Sequence, residues 1–424
     1  MHSIISSFQH SILPMTFENL NLIPSVCHAL AAKGYSVPTP IQQKAIPHIL
    51  EGKDLLGCAQ TGTGKTAAFA LPIIQLLHST RHLEKHRSIK ALILTPTREL
   101  AIQVDESFRN YSKGLGLKHA VIYGGVNQHS QVKSLQQGTD IVIATPGRLL
   151  DLKNQGYIKL HAVKYFVLDE ADRMLDMGFI HDIKKIISIL PAKKQTILFS
   201  ATLPDEIRKL ADGLLHNPVK IQVAPVSAPA ERIRHFVYHV EKKNKKEMLQ
   251  KLLKSENINH ALVFTRTKHG ADKVVRDLNR KNITAQAIHG NKSQAQRQRA
   301  LEGFKNRSVR ILVATDIASR GIDIDKLSHV INYELPEVAE TYIHRTGRTG
   351  RKGEEGTAFS FCSPDEKNHL RNINKLLKFS IEPLPAGEFH HDDNSQPSPK
   401  DFQKKPERKF QHNGRRGERR FSRN

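Results

Sequence analysis

Ala59-Gln-Thr-Gly-Thr-Gly-Lys-Thr66 stands between a short apolar run, Asp54–Cys58, and a helical stretch, Thr66–Leu77. A glycine-bearing turn that leaves a strand and opens a helix is a phosphate cradle, because free backbone amides and the positive helix end face the same point. In this loop Thr61, Gly62, Thr63, Gly64, Lys65 and Thr66 are the candidate phosphate-binding residues. Lys65 is placed to reach terminal phosphates, and the Thr66 hydroxyl is placed to hold Mg²⁺. The first glycine of the usual pattern is Ala59. Taken alone, the loop is short enough to arise by chance.

Further short apolar runs follow, each ending in Gly, Thr, Pro or Asp: Ala91–Thr95, Ala120–Tyr123, Ile141–Thr145, Phe166–Asp169 and Ile197–Ser200. A second series comprises Ala261–Thr265, Ala285–His289, Ile311–Thr315, His329–Tyr333 and Thr357–Phe361. Near-continuous apolar strands imply burial on both faces, as in a parallel sheet covered by helices. Helical stretches such as Arg98–Tyr111, Ala271–Arg280 and Gln294–Phe304 fall between them, so the fold class is α/β. Two prolines among small residues mark 223–232 as a linker. The expected order is an extension over 1–15, domains at 16–222 and 233–384, and a tail over 385–424. Residues 1–14 carry no motif, and Met15 is a possible translation start.

The 424 residues carry 65 Lys+Arg against 41 Asp+Glu, a net +24 that predicts a polyanionic partner. From Lys400 to Asn424 ten Lys/Arg face three Asp/Glu, so this stretch supplies +7 and reads as a disordered basic arm. Phe402, Phe410 and Phe421 in it are suited to stacking on unpaired bases, the alternative being a solubilising tail. Cys27, Cys58 and Cys362 are scattered, which excludes a disulfide scaffold and a cysteine-rich zinc site. No apolar run spans a bilayer and no secretory signal opens the chain, so the expected compartment is the cytoplasm, without membrane attachment.

Tyr165-Phe-Val-Leu-Asp-Glu-Ala-Asp172 supplies the acidic half of a nucleotidase site. Asp169 at the strand end is a metal-holding candidate, and Glu170 the group that activates water. Asp172 reads as an interdomain contact, with His344 its suggested partner. In Tyr342-Ile-His-Arg-Thr-Gly-Arg-Thr-Gly-Arg351, Arg348 and Arg351 are spaced to act as arginine fingers on the γ-phosphate. The competing reading of that run is a basic nucleic-acid patch.

Taken together and in order over roughly 16–380, these motifs resemble the DEAD-box helicase family, whose name is spelled at 169–172. Pro96-Thr-Arg-Glu-Leu-Ala101, Gly124-Gly125, Thr145-Pro-Gly-Arg148, Ser200-Ala-Thr202, Val263-Phe-Thr265, Gln294 with Arg297, and 314–323 complete the set. The resemblance implies two tandem RecA-like domains, ATP and Mg²⁺ as ligands, and sequence-independent RNA binding. By it, Gln42 reads adenine, Phe17 stacks on the base and Asp323 holds the ribose; without it, Phe17 is a core residue. Pro96, Arg98, Gly125, Thr145 and Arg148, with Gly290 and Thr315, would line the RNA backbone. Ser200 and Thr202 would couple hydrolysis to strand separation. The stretch opening at Met15, the Gln-Gln after Ile41 and the basic extension are most similar to the bacterial RhlE subgroup. Ribosome precursors or RNA-decay machinery are the expected partners of the tail. The rival readings are a DNA-unwinding motor and a non-catalytic RNA clamp or annealer.

Overall fold

The computed structural model describes residues 15–59, 62–80, 87–223, 233–254, 258–316, 327–350 and 355–387. The first sheet contains β1 (Leu55–Cys58), β2 (Ala91–Leu94), β3 (His119–Ile122), β4 (Ile141–Ala144), β5 (Tyr165–Leu168), β6 (Gln195–Ser200) and β7 (Val219–Gln222). The second contains β8 (Ile233–His239), β9 (Ala261–Phe264), β10 (Ala285–Ile288), β11 (Ile311–Ala314), β12 (His329–Asn332), β13 (Gly356–Cys362) and β14 (Glu382–Leu384). Their orders are β3-β4-β2-β5-β6-β1-β7 and β10-β11-β9-β12-β13-β8-β14. Raising every number in the first order by seven yields the second. Every recorded pairing is parallel, as the buried apolar runs predict.

Helices of the first domain are α1 (Pro24–Ala31), α2 (Pro40–Leu50), α3 (Lys65–Thr80), α4 (Arg98–Tyr111), α5 (His129–Gln136), α6 (Pro146–Asn154), α7 (Ala171–Asp176), α8 (Ile180–Ser188) and α9 (Asp205–Leu214). In the second domain they are α10 (Lys245–Lys254), α11 (Lys268–Asn279), α12 (Gln294–Lys305), α13 (Ala339–Thr346) and α14 (Lys367–Leu377). Their starts follow side-chain chemistry. The Thr97 hydroxyl accepts the Leu100 N–H to open α4, and Ser293 with Gln296 forms a capping box at α12. Each such cap is worth about 1 kcal/mol.

Two cores flank the first sheet. On one face α1 to α4 bury Ile46, Phe69, Phe108 and Ile197; on the other, Leu149, Met174 and Ile207 pack beneath α6 to α9. Fully burying a side chain of this size contributes about 1.5–3 kcal/mol, so these layers fix the height of every strand end.

Three strands absent from the sequence reading are β7, β8 and β14, all on one side of their sheets. Val223 continues β7 by donating its N–H to the Cys58 carbonyl, so the first domain runs one residue into the proposed linker. Ala386 is buried in the second domain's core, two residues past the expected boundary. The remainder of the linker, residues 1–14 and 388–424 lie outside the described residues. Among the described residues no helix is long and apolar enough to cross a membrane.

Candidate functional site

The carboxyl ends of β1, β5 and β6 lie side by side and carry Lys65, Asp169 with Glu170, and Ser200 in turn. Parallel α/β sheets bind ligands at this edge. Lys65 is the first residue of α3 and is 6% exposed; Asp169 is 2% exposed. Lys65 Nζ and Asp169 Oδ1 are both buried without a hydrogen-bond partner. Such groups are expensive to leave unsatisfied, and an ammonium beside a carboxylate oxygen suits a phosphate with its divalent cation. Burial, with Glu170 adding, pushes the Asp169 carboxyl up to about 6, against the opposing pull of Lys65 and Arg173.

Glu170 precedes α7 with φ +56°, a left-handed conformation rare outside glycine and asparagine. Its carboxylate pairs with Arg173, one turn along α7; Glu170 is buried and Arg173 partly so. Arg173 was missed by the sequence reading; an arginine three residues after the glutamate was the signal that could have found it.

Asp172 is bonded to the end of β6. Its Oδ2 accepts from the Thr202 N–H (2.8 Å) and Thr202 hydroxyl (2.9 Å), and its N–H donates to Ser200 Oγ (3.2 Å). These bonds tie Asp172 to the end of β6, which presents two donors to the same carboxylate oxygen. Ser200 Oγ in turn donates to the Thr202 carbonyl at 2.6 Å.

Gln42 is 6% exposed and is the third residue of α2. Its Oε1 accepts the Thr39 N–H at 2.9 Å, and its Nε2 donates to the Gly64 carbonyl at 3.1 Å. A carboxamide retains one lone pair and one N–H beyond these two bonds, enough for a second bidentate partner. Gly64 (φ +92°) has no room for a side chain: a Cβ would sit 2.4 Å from Gln42 Nε2. Phe17 is 6% exposed within the core beside Leu20 and Leu22, as the core alternative expects. Gly62 is exposed, and Thr63 and Thr66 are half-buried. Thr61, Asp323 and Arg351 lie outside the described residues, while Arg348 is buried at 4% exposure.

A basic track adjoins this edge. The Arg98 guanidinium occupies the space a Cβ at Gly125 (φ +79°) would need. Burial, then Arg297 and Arg148, pull the Arg98 guanidinium below its ordinary value. Crowded like charges favour an anionic ligand. Arg148 donates to the Val126 carbonyl at 3.3 Å, and Thr145 precedes α6 as its N-cap residue. Pro96 is buried before α4; in the second domain Gly290 is exposed and Thr315 half-buried.

The two domains meet at Glu99. Its Oε1 accepts from Gln294 Nε2 at 3.0 Å and pairs with Arg297 Nε at 3.0 Å. Arg345, which the sequence reading passed over, is 2% exposed and pairs with Asp316 through Nε and Nη2 (2.5 and 2.7 Å). It also donates to Asn332 and the Glu334 carbonyl, and its guanidinium stands 5.0 Å from the Phe264 ring centre.

Comparison with known proteins bears on this arrangement. A DEAD/DEAH box helicase model matches residues 39–210, and a helicase conserved C-terminal domain model matches 244–353. The ATP-dependent RNA helicase CshA of Listeria monocytogenes is 43% identical over 370 residues, 87% of this chain and 70% of that protein. A DEAD box protein of Methanococcus jannaschii is 42% identical with a TM-score of 0.52, covering 87% of this chain and 99% of the other. Saccharomyces cerevisiae Dbp5 bound to RNA and ADP BeF3 is 30% identical with a TM-score of 0.76, covering 88% and 96%.

Proposed function

The chain belongs to the DEAD-box family of ATP-dependent RNA helicases, and on that premise we propose how its residues divide the work. The observation that carries the proposal is the pair of buried, unsatisfied atoms Lys65 Nζ and Asp169 Oδ1 beside Glu170. Lys65 binds the terminal phosphates of ATP, with Thr61 to Thr66 cradling them and Gln42 pairing with adenine; Phe17 supports the base from the core side. Thr66 and Asp169 would hold Mg²⁺, a fit supported by the orphaned carboxylate oxygen. When bound, that ion screens the negative charge developing on the transferred phosphoryl group. Glu170 orients and deprotonates the attacking water, held in place by Arg173. Arg348 and Arg351 approach the γ-phosphate from the second domain, and Asp323 holds the ribose.

RNA lies along Pro96, Arg98, Gly125, Thr145 and Arg148, and along Gly290 and Thr315 across the interface. Contacts to its backbone make binding salt-sensitive and indifferent to sequence. Ser200, Thr202 and Asp172 pass the state of the ATP site to this track through the bonds at the end of β6. His344 of the second domain is the proposed interdomain partner of Asp172. The M. jannaschii protein has the higher identity but the lower TM-score, whereas Dbp5 with RNA and nucleotide scores higher. This contrast supports a domain arrangement like the RNA- and nucleotide-bound one, bridged at Glu99. Closure about the 223–232 linker bends the RNA and separates short duplexes locally. The finer placement in the RhlE subgroup, the cytoplasmic location and tail-mediated contacts with ribosome precursors or decay machinery rest on sequence alone.

The test is ATP hydrolysis without nucleic acid, with single-stranded RNA and with matched DNA, in wild type and Glu170→Gln. RNA stimulation lost in Glu170→Gln, by about 10²–10⁴-fold, is the expected result. Equal stimulation by DNA would overturn the RNA track, and an unaffected Glu170→Gln would overturn the assignment of the base.

A further inference from the structure

The matching strand orders equate β1 with β8, β5 with β12 and β6 with β13. Register makes Leu55, Ile197 and Val167 the counterparts of Phe236, Phe359 and Ile331 on the corresponding face. In the first domain α2 covers that face, and Leu55 and Ile197 are fully buried with Ile46 and Ile49. Gln195 further ties α2 down by donating to the Ile49 and Lys53 carbonyls. In the second domain, among the described residues, no helix precedes β8 and none stands in the place of α2.

The consequence is a groove of about 450 Å³ at the amino ends of β8, β12 and β13. The ATP edge lies at the opposite, carboxyl ends. Phe236 and Phe359 are only half-buried there and stack with centroids 5.6 Å apart; His329 lies parallel to Phe359 at 6.1 Å. Met248, Leu252 and Ile258 form an aliphatic wall. Arg234 and Lys251 stand exposed at its margin, and among the described lining residues there is no carboxylate.

We propose that this groove docks an amphipathic α-helix of another protein, with an apolar stripe facing the aromatic floor and an acidic flank meeting Arg234. The first domain shows what the face accepts, since α2 lays Ile46 and Ile49 on it as a helix. An aromatic floor with an aliphatic wall suits a helix stripe at i, i+3 and i+7. The exposed Arg234 guanidinium selects the acidic flank. Of the chain's own C-terminal sequence, 388–399 has Phe389 as its one large apolar residue and two prolines, and the stretch from Lys400 onward has the wrong charge, so neither offers an acidic-flanked apolar stripe.

The test uses the full chain and labelled helical peptides of about 14 residues, identical in their leucine stripe but flanked by glutamates or by lysines. Fluorescence anisotropy should show saturable binding of the acidic peptide alone, weakened about tenfold by Arg234→Glu and by Phe236→Glu. RNA-stimulated ATP hydrolysis should match wild type in Arg234→Glu, which certifies that the fold is intact. Equal binding of both peptides, no binding of either, or binding indifferent to both variants overturns the proposal. A labelled single-stranded RNA that loses affinity in both variants, with the peptide unaffected, would assign the groove to nucleic acid instead.

Discussion

The two sheets share one strand order, yet the two domains treat their charges in opposite ways. In the first, Lys65 Nζ and Asp169 Oδ1 are buried and left without hydrogen-bond partners. In the second, the equally buried Arg345 has Asp316, Asn332, the Glu334 carbonyl and the Phe264 ring around it. Buried charge that is satisfied serves as scaffold, while buried charge left open marks where a ligand completes the structure. Covering also differs: the first domain hides its β1 face under α2, whereas among the described residues no helix takes that place on the β8 face, where Phe236 and Phe359 are half-buried. One topology has been specialised by where each half leaves something missing.

That contrast can be broken or sharpened by experiment. Lys65→Ala removes an ammonium that makes no hydrogen bond within the protein, so ATP hydrolysis should fall by about 10³-fold or more with a nearly unchanged denaturation midpoint. A lowered midpoint would make Lys65 scaffold after all. Arg345→Ala should do the reverse and destabilise the second domain by about 3 kcal/mol, because a large buried side chain is lost and Asn332 Oδ1 and the Glu334 carbonyl lose their donor. Chemical denaturation followed by a probe in each domain should show only the second transition moving.

Acid should affect both domains alike. Burial pulls His119 and His235 down to about 4 from the usual value. The unfolded chain therefore binds the extra proton first, and stability present above about pH 6.5 is lost as pH falls toward 4, by up to about 3 kcal/mol per group. His119→Phe and His235→Phe should each flatten the melting profile of their own domain over that window. The smallest effect belongs to the bridge. Glu99→Gln keeps the Gln294 contact but loses the charge facing Arg297, and should weaken RNA binding in the presence of a nucleotide analogue by about fivefold. Unchanged affinity would detach Glu99 from closure.

Strands buried on both faces announced themselves as apolar runs, and α4 occupies the span its periodicity predicts, Arg98–Tyr111. β8 did not, because Ile233-Arg-His-Phe-Val-Tyr-His239 alternates between a packed face and the bare one. β7 and β14 are short edge strands, and Pro383 interrupts the second. Site residues were legible where chemistry clusters along the chain, as at 59–66 and 169–172. Contacts bridging distant segments were not: Asp172 with Thr202, Gln42 with Gly64, and Glu99 with Gln294 are separated by 30, 22 and 195 positions. Spacing along a chain carries no record of which remote groups meet.

The double use of Gln42 has one more consequence. The same carboxamide caps the first turn of α2 and grips the carbonyl of Gly64 in the phosphate loop. Fraying of that helix end and loosening of the loop are therefore one cooperative event. Amide hydrogens of the first turn of α2, although they touch no phosphate, will exchange with solvent at a rate set by nucleotide occupancy.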